Sequence, residues 1–135
     1  MSASRETIRL VSTRAADRCE YCRMHQSLQG ATFHVEHIVP RSRGGNSEPE
    51  NYAWCCPSCN LHKADRLEGV DPRGGHAAPL FHPRLDAWQD HFAWEGEVVV
   101  GKTPKGRGTI EALVLNHPRR LMIRRAEALF GLFPP

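Results

Sequence analysis

Hydrophobic residues near the beginning of the chain recur at the spacing of one helix face. Ile8, Val11 and Ala15 lie three or four positions apart in RETIRLVSTRAADR, with good helix formers between them. Because residues at this spacing share one face of an α-helix, the pattern predicts a short helix that leads to Cys19.

Short apolar runs replace the helical spacing after residue 30. The run ATFHVEHIV is rich in aromatic and branched residues and predicts a strand that Pro40 ends. The composition of RSRGGNSEPEN indicates a loop, and YAWC is typical of a second short strand. Pro57 suits the first turn of a helix, so PSCNLHKADRL is expected to be helical. The predicted order is therefore strand, loop, strand, helix.

The pattern changes again after Leu67. EGVDPRGGHAAP predicts a linker or wide loop, and LFHPRLDAWQDHFAWEGEVVVG ends in the strand-like run EVVV. The aromatic residues in that stretch, including Trp88 and Trp94, are expected to pack in a core rather than to stack on bases. GRGTIEALVLN and PRRLMIRRAEALFGLF predict two helices. We therefore expect an α+β fold with a unit over residues 1–68 and a mixed, mainly helical extension over residues 69–135.

The last predicted helix carries two arginines four positions apart. Arg120 and Arg124 would share one face, while Leu121, Ala128 and Leu129 could turn toward the core. This arrangement suggests a basic surface on the extension that can meet phosphates. The alternative is a surface helix that the arginines only keep soluble.

Composition narrows the class of protein but does not identify a function. The chain has 135 residues with 40% hydrophobic and 24% charged, as in globular proteins. We found no apolar stretch near the roughly 18 residues of a membrane span, and no signal-peptide pattern in MSASRETIRL. The expectation is a cytoplasmic protein. A net charge of +3 is weak evidence for a nucleic-acid partner, but basic residues are clustered next to the glycine turn, after the last cysteine and in the C-terminal third of the chain.

Four of the five cysteines form two identical pairs. CEYC and CPSC place two residues between Cys19 and Cys22 and between Cys56 and Cys59. This spacing lets one turn direct two thiolates at a tetrahedral zinc ion, about 2.3 Å from each sulfur. The pattern predicts one structural zinc, against a redox CxxC or buried free thiols. Cys55 is expected to pack in the core, and His25 and His62 are less favoured as ligands than the four thiolates.

The segment HVEHIVPRSRGGN contains a second candidate site. Glu36 and His37 are adjacent and precede a basic, glycine-rich turn. The pair is either an ordinary surface patch at a strand end, or a metal ligand beside a general base with a phosphate-binding turn after it.

The longer segment HVEHIVPRSRGGNSEPENYAWCCPSCNLHK resembles the HNH endonucleases, the ββα-metal nuclease family. The resemblance spans roughly residues 15 to 68 and includes the paired cysteines that zinc-bound members carry. The positions that match the family pattern are Glu36, His37, Pro40, Asn51, Cys56, Cys59 and Asn60.

The resemblance implies a role for each matching residue. His37 would be the general base, Glu36 and Asn60 would bind a catalytic Mg²⁺ or Mn²⁺, and Asn51 would order the loop and orient the base. The predicted DNA contacts are Arg41, Arg43, Lys63, Arg66, Arg120 and Arg124.

Two matched positions depart from the commonest pattern, and one raises a geometric problem. Asn60 stands where His is frequent, and Glu36 stands where Asp is commoner. Strict alternation along a strand would point Glu36 and His37 to opposite faces. The resemblance implies that the strand twists or breaks near Pro40.

The resemblance implies a metal-dependent endonuclease that hydrolyses phosphodiester bonds in DNA. The expected partner is double-stranded DNA, and the expected state is a monomer or weak homodimer. The alternative is a noncatalytic, zinc-stabilised module that binds nucleic acid. A redox switch built on the CxxC pairs is a third reading of the cysteines.

Overall fold

The computed structural model describes residues 3–135 of the chain. Within them lie five α-helices and six strands, and the strands pair as three antiparallel two-stranded sheets. In chain order these elements are α1 (Arg5–Arg14), β1 (His34–His37), β2 (Tyr52–Cys55), α2 (Pro57–Lys63), β3 (Glu68–Asp71), β4 (His76–Pro79), α3 (Trp88–His91), β5 (Phe92–Glu95), β6 (Val98–Gly101), α4 (Pro104–Leu113) and α5 (Pro118–Leu129). The fold is α+β, as the sequence predicts.

The first helix begins and ends for local reasons. The Ser4 hydroxyl accepts a hydrogen bond from the Thr7 amide at 3.1 Å, which satisfies one free donor of the first turn. The helix ends before Ala16 and Asp17, which both have a positive φ. The prediction of a helix before Cys19 is confirmed, although the helix stops four residues short of the predicted segment.

The predicted strand, loop, strand, helix order is confirmed in residues 34–63. β1 and β2 pair antiparallel, with His37 opposite Tyr52 and Glu36 opposite Ala53. The loop between them contains two short 3₁₀ turns, Arg41–Arg43 and Pro49–Asn51. α2 follows β2 directly, with Pro57 in its first turn.

The segment expected to be a linker is instead a hairpin. β3 and β4 pair over Glu68–Asp71 and His76–Pro79, and β3 packs on α4. A Cβ at Gly69 would lie 2.5 Å from the Gly108 carbonyl oxygen, so the two backbones approach where neither residue has a side chain. This approach between distant positions holds the hairpin, and local composition does not reveal it.

The aromatic stretch packs in the core, as predicted. α3 is a single helical turn that leads into the β5–β6 hairpin, which contains the strand-like EVVV run. Trp88 and Phe92 are buried, and the Trp88 indole donates a hydrogen bond to the Tyr21 carbonyl at 3.1 Å. This bond ties the aromatic stretch to the turn between the first two cysteines.

The last two helices are confirmed, but the orientation predicted for α5 is wrong. Arg120 and Arg124 are 3% and 0% exposed, whereas Leu129 is 86% exposed. The arginines point inward because buried carbonyl, hydroxyl and thiol groups accept their hydrogen bonds.

In the part of the chain that the structure describes, no helix combines the length and the apolar character needed to cross a membrane.

Candidate functional site

Four buried cysteines meet where the first cysteine turn faces the start of α2. The sulfur atoms of Cys19, Cys22, Cys56 and Cys59 all lie within 4.8 Å of one another. The Cys22 and Cys56 sulfurs are 3.8 Å apart, the edge of about 3.8 Å expected for a tetrahedron with ~2.3 Å zinc–sulfur bonds. The four thiols therefore fit one zinc ion, and the cluster supports a structural zinc.

Nearby residues that could compete for the metal are not part of the group of four. Cys55 is buried in β2 outside the cluster of four, as predicted for a core residue. The Nδ1 atom of His25 lies 2.8 Å from the Ser27 hydroxyl, and that of His62 lies 2.8 Å from the Ser58 carbonyl. Both imidazoles thus serve local hydrogen bonds.

The Glu36 carboxylate is buried and both of its oxygen atoms are engaged. Oε1 accepts a hydrogen bond from the Tyr21 hydroxyl at 2.8 Å, and Oε2 pairs with the Lys63 ammonium at 2.7 Å. Lys63 also donates to the Ile38 carbonyl at 2.8 Å. Burial raises the pKa of Glu36, and the Lys63 charge opposes this rise only in part.

This arrangement does not fit a divalent ion held by Glu36 and Asn60. Asn60 is exposed on α2, and within residues 3–135 only its backbone makes hydrogen bonds. A metal at Glu36 would have to displace a buried ammonium whose other contacts are backbone carbonyls. The predicted ligands are therefore not assembled into an open site here.

His37 lies on the other face of β1 and is partly accessible. Its Nε2 atom is 3.1 Å from the Ser47 hydroxyl, and its ring meets the Tyr52 ring edge-on, with centroids 5.2 Å apart. Burial lowers the pKa of His37, and the Arg41 cation lowers it further. The imidazole is thus largely neutral at pH 7, the form that can accept a proton.

Asn51 fixes the backbone that follows His37. Its Oδ1 accepts from the Val39 amide at 2.9 Å, and its Nδ2 donates to the Val39 carbonyl at 3.0 Å and to the Asn46 carbonyl at 2.8 Å. A Cβ at Gly45 would lie 1.8 Å from the Val39 carbonyl oxygen, so only glycine permits this approach. The turn is therefore held against the end of β1.

The basic residues predicted to contact DNA fall into two groups. Arg41, Arg43 and Arg66 are exposed, and the first two lie on the 3₁₀ turn after Pro40. Lys63 is buried beside Glu36, and Arg120 and Arg124 are buried beneath α5. The predicted placement of these last three at a DNA-facing surface is therefore wrong, because their charges serve internal partners.

The sequence did not reveal the side chains that contact Glu36 and His37. Tyr21 lies inside the first CxxC, and Ser47 lies in the loop, where neither spacing nor composition marks it. Lys63 follows Cys59 by four positions, a spacing that places both on one face of α2, but the sequence does not show that Glu36 lies opposite.

Comparison with known proteins places this geometry in context. The model of the HNH endonuclease family matches residues 19–66. The Septu protein PtuB of Bacillus thuringiensis is 28% identical over 112 residues, which cover 81% of this chain and 40% of that protein. The chain thus spans less than half the length of this relative. No solved structure matches the chain.

The matched residues coincide with the part of the fold described above. They begin at the first metal-type cysteine and end just after α2, and they include both strands that flank the basic turn. The match supports a nuclease-type activity. The family pattern and the observed strand, strand and helix unit cover the same segment, so residues 19–66 are the part of this chain that is similar to the HNH endonucleases.

Proposed function

We propose that this chain is an endonuclease that hydrolyses phosphodiester bonds in DNA, with His37 accepting a proton from the attacking water. The observation that carries the proposal is the setting of His37, a partly accessible imidazole of lowered pKa at the edge of a basic turn. A neutral imidazole beside a bound phosphate suits general-base catalysis.

Exposed residues next to His37 suit the substrate. Arg41 and Arg43 on the following turn would hold phosphates, and Arg66 beyond α2 would add a third contact. Asn51 would keep this turn in register with His37 through its three hydrogen bonds. Double-stranded DNA is the proposed substrate, and a monomer or weak homodimer is the proposed state.

The test compares plasmid cleavage by the parent, His37→Ala and His34→Ala. His34 is an exposed histidine on the same strand and serves as the matched control. Loss of a general base typically lowers the rate by about 10²–10⁴, so His37→Ala should leave the plasmid intact while still binding DNA. Parent-like cleavage by His37→Ala would overturn this assignment.

Dependence on Mg²⁺ or Mn²⁺ is a separate part of the proposal. We assign no step to a divalent ion, because Glu36 is occupied by Lys63 and Tyr21. Cleavage should appear with added Mg²⁺ or Mn²⁺ and stop with EDTA at a concentration that leaves the zinc bound. Equal cleavage in EDTA would exclude the divalent requirement.

A noncatalytic, zinc-stabilised nucleic-acid-binding module is the second candidate. The enclosed Glu36–Lys63 pair favours it, since a pure binding module needs no accessible carboxylate. This candidate predicts DNA binding without cleavage under every metal condition, so the same assay separates the two functions.

A further inference from the structure

A buried guanidinium from α5 contacts the cysteine cluster. The Nη1 atom of Arg120 donates a hydrogen bond to the Cys59 sulfur at 3.3 Å. Its Nη2 atom donates to the Ser58 hydroxyl at 2.6 Å and to the Leu113 carbonyl at 3.2 Å. Partners from both α2 and the end of α4 therefore fix the position of this side chain.

The cluster needs a counter-charge. Four thiolates around one Zn²⁺ carry two excess negative charges, and all four sulfurs are buried. Buried charge is costly unless it is paired or hydrogen-bonded. Arg120 supplies both a positive charge and a directed donor.

The other hydrogen bonds near the cluster do not replace this contact. The Cys59 amide donates to the Cys56 sulfur at 3.3 Å, but it brings no net charge. Arg124 is also buried, yet it donates to the Glu97 carbonyl at 3.0 Å and to the Leu115 carbonyl at 2.7 Å. Within residues 3–135, Arg120 is the arginine that donates to a sulfur of the cluster.

We propose that Arg120 is a positioning residue of the zinc centre, which withdraws electron density from the Cys59 thiolate and slows the loss of zinc. Helix α5 is then part of the metal centre, although Arg120 lies 61 positions beyond Cys59, the last cysteine of the chain. This role is independent of whether the chain cleaves DNA.

The experiment uses the full chain with Arg120→Met, Arg120→Lys and the control Arg119→Met. Arg119 is the adjacent arginine on α5 and is exposed, so its substitution removes the same charge without touching the cluster. Two quantities are measured. One is the rate of zinc transfer to an excess of a chromogenic chelator, and the other is the energy of the thiolate-to-metal charge-transfer band after substitution with Co²⁺.

Loss of an outer partner of a metal ligand typically weakens binding by about 10–100-fold, so Arg120→Met should release zinc faster by about that factor. Its charge-transfer band should move to lower energy, because an unbonded thiolate gives up electrons more readily. Arg120→Lys should lie between Arg120→Met and the parent, and Arg119→Met should match the parent.

A parent-like band in Arg120→Met would overturn the proposal, even if zinc leaves faster, since faster release alone would mean only a looser fold. If Arg120→Met does not fold, the Arg120→Lys protein decides. A band shifted from that of the parent supports the proposal, and an unshifted band overturns it.

Discussion

Glu36 and His37 are adjacent in the chain but lie in opposite surroundings. The Glu36 carboxylate is enclosed by a phenol and an ammonium, whereas the His37 imidazole is partly accessible beside Ser47. The strand alternation that raised a difficulty for the predicted site is therefore present in the fold. At the scale of single residues, the proposed proton acceptor and the buried ion pair are separate features.

The pH dependence of cleavage should report the surroundings of His37. Its pKa is lowered from 6.5, and only the neutral ring accepts a proton, so the rate should rise with pH and reach half of its maximum below about pH 6.5. Arg41→Gln removes a cation that lowers this pKa, so the midpoint should move to higher pH. Single-turnover rates between about pH 5 and pH 8 measure the effect.

The matched control is Arg43→Gln, which removes the same charge from the same turn. Arg43 is engaged with the Asp65 carbonyl at 2.6 Å and does not contribute to the lowered pKa of His37. An equal shift in both variants would contradict a specific effect of Arg41.

At the scale of elements, the sequence pattern predicts the helices and strands that short-range interactions determine. α1, β1, β2 and α2 follow from apolar spacing, branched residues and Pro57, and all four are present. The β3–β4 hairpin was missed because its sequence is rich in glycine and proline, and its pairing depends on α4. The cysteine set could be predicted because CxxC spacing is a local geometry.

The elements whose orientation depends on distant partners could not be predicted. Hydrophobic periodicity favoured Leu129 as a core residue of α5, but Arg120 and Arg124 occupy the interior. Several of their acceptors, at residues 58, 59 and 97, lie more than 20 positions away, so no window around α5 contains them. The Lys63 partner of Glu36 was missed for the same reason.

The contact between β3 and α4 should make stability depend on acid pH. Arg107 donates to both carboxylate oxygens of Asp71, at 2.9 and 3.0 Å, and these bonds lower the pKa of Asp71 to about 2. The unfolded value is near ~3.9, so this stabilisation is complete above about pH 4 and is lost as pH falls toward 2.

Asp71→Asn should therefore lower the free energy of unfolding at pH 7 and flatten its decline between about pH 4 and pH 2. Urea unfolding at a series of pH values measures both effects. Asp90→Asn, an exposed acidic residue on α3, is the control and should behave like the parent. If the free energy of unfolding of Asp71→Asn declines as steeply as that of the parent, the acid sensitivity comes from other groups.

At the scale of the whole molecule, one hydrophobic core contains side chains from both predicted units. Tyr21 and Phe33 belong to the first unit, and Phe81, Phe92 and Leu113 belong to the second. The division into residues 1–68 and 69–135 stays a prediction, and residues 1 and 2 of the first unit lie outside the described part. Because the core is shared, unfolding of one predicted unit should also destabilise the other.

Removal of the metal should therefore unfold more than the cysteine turns. Binding in structural zinc sites supplies about 10–16 kcal/mol, comparable to or above a typical domain stability of about 5–15 kcal/mol. Cys22→Ser should prevent stable folding, whereas Cys55→Ser, which changes a buried cysteine outside the cluster, should retain one zinc per chain. Metal analysis and far-UV circular dichroism check both outcomes. A well-folded, zinc-free parent would contradict the structural role.

The salt dependence of DNA binding should identify the surface that meets the phosphates. In an inactive His37→Ala background, Arg41→Ala and Arg43→Ala should each lower the slope of log affinity against log salt by about 0.9 on duplex DNA. Arg119→Ala on α5 should leave the slope unchanged. A lower slope in Arg119→Ala alone would instead assign the phosphate contacts to α5.

The cysteine cluster also closes the segment that carries the basic turn into a loop. Cys22 and Cys56 are separated by 34 positions, yet their sulfurs lie 3.8 Å apart. Closing a flexible loop costs little more as it lengthens, only about 0.6 kcal/mol for each doubling. Gly45 and Asn51 are held against Val39, so the exposed residues 46–50 between them are the stretch whose length and composition can change at least cost to the surroundings. If the chain cleaves DNA as proposed, its preference for one sequence over another can change through these residues, while the metal centre and the C-terminal helices stay unchanged.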